Sequence, residues 1–126
     1  MNSVSVDILT LLTNNGFTGL YAMAWNDSID AQTLILDQAG FDSPLKDEHE
    51  QPIFQILVRG EKNADLNTAY QAMRAIHEFL IQAPTQNIDA CEYTGFDPLS
   101  TIINLGRDDN DRAVFSMNYY TFRSSI

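Results

Sequence analysis

Residues 52–84 constrain the fold more than any other part of the chain, because they set a largely apolar strand ahead of a long amphipathic helix. Pro52 opens the run PIFQILVR, in which β-branched and aromatic residues dominate and both alternating faces are largely apolar. This predicts a central strand over 53–58. Asp65 then caps a periodic segment in which Leu66, Ala69, Tyr70, Met73, Ile76 and Leu80 fall on one stripe, and Pro84 ends it. A helix of roughly 18 residues is about 27 Å long, enough to lie across a sheet of several strands.

The flanking segments complete the pattern. Over residues 5–15 the apolar Ile8, Leu9, Leu11 and Leu12 recur at helical spacing, with Ser5 as the expected cap, Asp7 in the first turn and Asn15-Gly16 as the stop. A short apolar run at 20–25, the turn Asn26-Asp27-Ser28 and a β-like run at 33–37 follow. Residues 40–51 mix Gly, Pro, Asp and Glu without an apolar period, which predicts an exposed connection of the kind that often carries function. Past the long helix, strands are expected at 88–93, 101–105 and 113–122, the last two joined by the polar block 106–112 as an antiparallel hairpin. Alternation along the last strand puts Ala113, Phe115, Met117 and Tyr119 on the face that should meet the long helix. The fold class expected is α+β, a mainly antiparallel sheet with two helices packed on one side, in a single domain of 126 residues.

Charge and residue usage exclude several functions. Seven Lys plus Arg against seventeen Asp plus Glu give a net charge of −10, which repels phosphate backbones and anionic lipid, so no specific nucleic-acid binding and no membrane partner are expected. The apolar patch from Ile8 to Leu12 is too short for a signal peptide or a membrane span, so the protein is expected to remain in the cytoplasm where it is made. Cys91 is the only cysteine; no internal disulfide can form, and no His follows it to make it a nucleophile. The glycines are isolated and form no phosphate-binding loop, and no GxSxG elbow is present. No catalytic residue and no cofactor is expected.

The remaining candidates are weighed by spacing. His49 lies in the run Asp47-Glu48-His49-Glu50, but adjacent loop residues do not present metal-ligand spacing, and position 53, where a zinc hydrolase motif would need a second His, is Ile. His77, between Ile76 and Glu78, reads as an ordinary surface or half-buried histidine. The turn Asp108-Asp109-Asn110-Asp111 lacks the glycine and closing glutamate of an EF-hand loop. Tyr119, Tyr120 and Phe122 have no flanking basic cluster, which favours strand packing or a subunit contact over base stacking. The unusual feature is Arg107 and Arg112 bracketing Asp108, Asp109 and Asp111 at a hairpin tip. Such a tip suits electrostatic registration of one subunit against the next, and a turn that satisfies its own charges is an equal alternative.

Three stretches together resemble the tail-terminator (minor capsid) proteins of long-tailed bacteriophages: ILTLLTNNGF, then PIFQILVRG leading into TAYQAMRAIHEFL, then YTGFDPLSTIINLGRDDNDRAVFSMNYYTFR. The last, a strand, Leu-Gly, an acidic tip, Arg and a strand ending in alternating aromatics, is similar to the closing hairpin of that family. The resemblance implies a non-enzymatic virion protein whose copies form a ring, usually hexameric, that caps the tail tube and joins the tail to the head. Its implied partners are further copies of itself, the tail-tube protein and head-tail connector proteins, with DNA passing through the ring unbound. Assembly contacts are then expected at Arg107, Asp108, Asp109, Asp111 and Arg112, and at Asp47, Glu48 and Glu50 of the long loop. One copy, with a radius of gyration of about 14 Å, cannot surround a duplex but a ring can, and carboxylates lining it would repel phosphates in transit. A head-tail connector or neck protein, and a small cytoplasmic binding or regulatory domain, are the alternatives that the sequence leaves open.

Overall fold

The computed structural model describes residues 2–38 and 49–125. The order is α1 (Val4–Asn14), β1 (Leu20–Ala22), β2 (Gln32–Gln38), β3 (His49–Glu50), β4 (Ile53–Lys62), α2 (Leu66–Gln82), β5 (Gln86–Ile88), β6 (Cys91–Pro98), β7 (Ile103–Arg107) and β8 (Arg112–Ser125). Among the described residues this is an α+β arrangement with one mostly antiparallel sheet in the order β1-β2-β4-β8-β6-β5; β3 and β7 are additional partners of β8. β8 organises the sheet because it is long enough to take two partners on each side. Residues 112–120 pair with β4 and 123–124 with β3 along one side; 113–116 pair with β7 and 119–125 with β6 along the other.

The apolar patterns determine which faces are buried. Phe54, Ile56 and Val58 alternate along β4 and join Ala113, Phe115, Met117 and Tyr119 of β8 in one hydrophobic cluster. α2 adds Ala69, Met73, Ile76 and Leu80 to it, and α1 adds Val4, Ile8, Leu11 and Leu12. The face of β8 expected to meet the long helix does so: Tyr70 meets Phe115 edge-on with ring centroids 5.7 Å apart. His77 Nδ1 lies 2.8 Å from the hydroxyl of the buried Tyr119. Asp65 caps α2, its carboxylate accepting from the Asn67 amide at 2.9 Å, and the 17-residue helix stops two residues before Pro84.

Three local expectations need correction. The cap position of α1 is Ser3, not Ser5; Ser5 is a buried helical residue whose amide and hydroxyl both donate to Asp37 of β2, each at 2.9 Å. Asp7 lies in the first turn of α1 as expected, and its carboxylate is buried and accepts from the Tyr93 hydroxyl. The single strand expected at 88–93 is two strands folded back on one another, β5 and β6, turning at Asp89-Ala90 with Asp89 left-handed at φ 53°. Of the connection expected at 40–51, Glu50 and His49 form a short strand on β8, and residues 39–48 lie outside the described part. β1 and β2 are parallel, joined by residues 23–31, a short link for a parallel pair. Arg59 holds this link in place, donating to the carbonyls of Asp30 at 3.0 Å and Ile29 at 2.8 Å and lying 4.4 Å from the Trp25 ring centroid.

Candidate functional site

The β7–β8 hairpin tip is built from residues that tolerate or create the turn. Gly106 and Asp111 both have positive φ, at 82° and 58°, the second being a conformation that Asp visits more readily than most residues. Asp108 is its keystone. Its carboxylate accepts from the amides of Asn110 and Arg112, each at 3.0 Å, and from the Arg112 guanidinium at 2.8 Å. Desolvation works against its charge, but these donors outweigh it, and its pKa is held below the usual carboxylate value.

The two arginines have different roles. Arg112 also reaches Asp30 at 3.2 Å, so its guanidinium is shared between two carboxylates and its side chain is only 12% exposed. Arg107 donates to the carbonyls of Asp111 at 3.1 Å and Ala64 at 2.8 Å, and its Nε is 3.6 Å from the Asp111 carboxylate. The Asn63 amide also donates to the Asp111 carbonyl at 3.0 Å. The tip is thereby tied to the turn that leads into α2. Asp109 and Asp111 remain exposed.

The loop candidates separate from this tip. Asp47 and Glu48 lie outside the described residues. Glu50 pairs with Arg123 near the opposite end of β8, where Arg123 also donates to the Asn2 carbonyl at 3.0 Å and approaches the Tyr93 hydroxyl at 3.4 Å. The Tyr93 hydroxyl, buried and bonded to Asp7, has its pKa raised. This Asp7–Tyr93–Arg123–Glu50 chain joins α1, β6, β8 and β3, and it was missed by sequence reasoning because its members are scattered from position 7 to position 123.

The chemistry of the described residues is that of packing and pairing. No group of three or more His, Cys, Asp or Glu side chains is placed to hold a metal among them. Burial raises the pKa of the Cys91 thiol, which makes it a poor nucleophile. The surface hollow of about 370 Å³ along α2 is lined by Tyr70, Gln71, Arg74, Ala75 and Glu78, and Glu78 already accepts from Arg74 at 3.0 Å. Among the described residues no helix is long and apolar enough to cross a membrane.

Comparison with known proteins agrees with a structural role. No curated protein sequence matches the chain. The sequence model of a family described as bacteriophage tail terminator protein matches residues 12–122, a span that takes in β1 to β7 and most of β8. On that match the chain belongs to the bacteriophage tail terminator family, structural proteins of the virion tail.

Proposed function

We propose that copies of this chain close into a ring of roughly six at the head-proximal end of the tail tube. The ring stops addition of further tube subunits and offers a docking face to head-tail connector proteins. DNA passes through it without being held, since a chain of net charge −10 favours no counterion release from phosphates. Assembly takes place in the host cytoplasm, without a cofactor or a catalytic step. The observation that carries this reading is the family match over residues 12–122.

Within that ring, Arg107, Asp109 and Asp111 contact a neighbouring copy or the tube, while Asp108 and Arg112 serve as the frame that aims them. The support is geometric: the first three carry exposed charge on a hairpin tied down at Ala64, whereas the guanidinium of Arg112 is already shared by Asp108 and Asp30. Glu50 is left out of these contacts on the same ground as Arg112, since its carboxylate is taken by Arg123. Quantitative mass spectrometry of purified virions, with gold labelling of a tagged copy, tests the assignment. Several copies per particle labelled at the head-tail junction are expected, and absence of the chain from virions would refute it.

A further inference from the structure

We infer that copies join by continuing the sheet, β1 of one copy pairing antiparallel with β7 of the next; this rests on the ring assembly proposed above. Among the described residues neither strand has a partner on its outer side. They also lie level with one another. Tyr21 pairs with Leu34, Leu34 with Leu57, Leu57 with Ser116 and Ser116 with Ile103, a single row that runs across five strands from one free edge to the other.

Strand direction suits the junction. β1 is parallel to β2, and each further step across β4, β8 and β7 is antiparallel, so β1 and β7 run in opposite senses. Neighbours related by rotation about an axis along the strands keep those senses, and β1 then meets the next copy's β7 as an antiparallel pair, the more stable ladder. The Gly106 amide is taken by the Asn104 side chain at 2.8 Å, and with Tyr21 opposite Ile103 an antiparallel pair sets Leu20 opposite Asn104 and Ala22 opposite Ile102.

The chemistry of these edges is unlike that of protected ones. Free edges are ordinarily blunted with charge or proline. In a chain of net charge −10, β1 lies within the uncharged run 8–26, and residues 103–106 of β7 lie within the uncharged run 98–106, with Arg107 closing the strand. By contrast, the outer strand β5 has Pro84 just before it and Asp89 just after it. Large exposed apolar side chains gather at the same places. Met23, 58% exposed, and Ile29 follow β1; Leu99 precedes β7, which itself carries Ile103 at 39% and Leu105 at 54%. Two different patches on opposite edges make a heterologous contact, the kind that generates rings, whereas one self-complementary patch would stop at a dimer.

The test supplies Tyr21→Cys/Ile103→Cys protein to phage lacking the wild-type chain, then treats purified tails with a short bis-maleimide. The native Cys91 is fully buried and does not compete. Covalent species that extend from dimer up to the full ring, absent from each single-cysteine variant, are expected. A photo-reactive benzoylphenylalanine at position 21 provides a second route in a conservative replacement, and its adducts should map to residues 98–107 of another copy. Tails that contain a ring of this chain but give neither product, or that give adducts elsewhere, would overturn edge pairing and leave the ring standing. Tails with no multi-copy assembly of the chain would overturn both.

Discussion

Replacing Arg123 by Leu should destabilise the fold by about 2–4 kcal/mol. The guanidinium is buried and engages three partners in addition to the packing of its stem: the Glu50 carboxylate, the Asn2 carbonyl and the Tyr93 hydroxyl. Removing one member of a buried ion pair ordinarily costs about 3–5 kcal/mol, because the other charge is left without its partner. Here the Glu50 side chain keeps 26% of its exposure, so water can partly replace the arginine and the expected value shifts below that range by about 1 kcal/mol. For a chain of this length an unfolding entropy of about 0.26 kcal/mol per degree converts the loss to a Tm shift of roughly 8–15 °C. Glu50→Gln keeps an oxygen acceptor facing Arg123 and should cost only about 1 kcal/mol. The double variant Arg123→Leu/Glu50→Leu should recover part of the loss, since it strands no charge. Urea unfolding followed by circular dichroism at pH 7 measures all three. A loss under about 0.5 kcal/mol for Arg123→Leu would show that the pair is not the tie between β3 and β8 argued above.

Other outcomes follow from the same contacts. Burial, and then the positive charge of Arg74, hold the His77 pKa below its usual value against the opposing effect of Glu78. Its contribution to stability is therefore present above an unfolded-state pKa of about 6.5 and lost as pH falls through the folded value. Tyr119→Phe should lower stability by about 1 kcal/mol at pH 7 but keep that acid slope, whereas His77→Gln should flatten it, which Tm measured between pH 8 and pH 5 would reveal. Asp65→Ala should remove about 1 kcal/mol through loss of the α2 cap, or roughly 3–5 °C in Tm, with Asp65→Asn losing far less. Arg107→Glu with Asp109→Lys should leave the circular dichroism spectrum unchanged yet lower the yield of joined particles at least tenfold. Normal yield from that variant would remove the tip from the assembly contacts.

The parts legible in the sequence were those written in local pattern. The β-branched, aromatic run PIFQILVR and the stripe from Leu66 to Leu80 placed β4 and α2, since composition, helical periodicity and the Asp65 cap act within a few residues. The turn at Asp89-Ala90 escaped because it uses no glycine; an aspartate in the left-handed region leaves no composition signal in IDAC. The tip ions were identified, but their orientation was not, because Arg112 turns toward Asp30 and Arg107 toward Ala64, both remote in sequence. Asp7, Tyr93 and Arg123 were unreadable for the same reason: a buried polar network is defined by three-dimensional proximity and leaves no spacing rule. Likewise, the level placement of the β1 and β7 edges depends on strand order, which nothing in either strand announces.

Tail length in infections that lack this chain tests the central claim most directly. If the chain ends the tube, its loss leaves a growing end to which subunits keep adding, so electron microscopy should find tubes of broad and excessive length, unattached to DNA-filled heads. Restoring the wild-type chain should return a single length and joined particles. Tails of uniform normal length, attached to heads in its absence, would contradict the account.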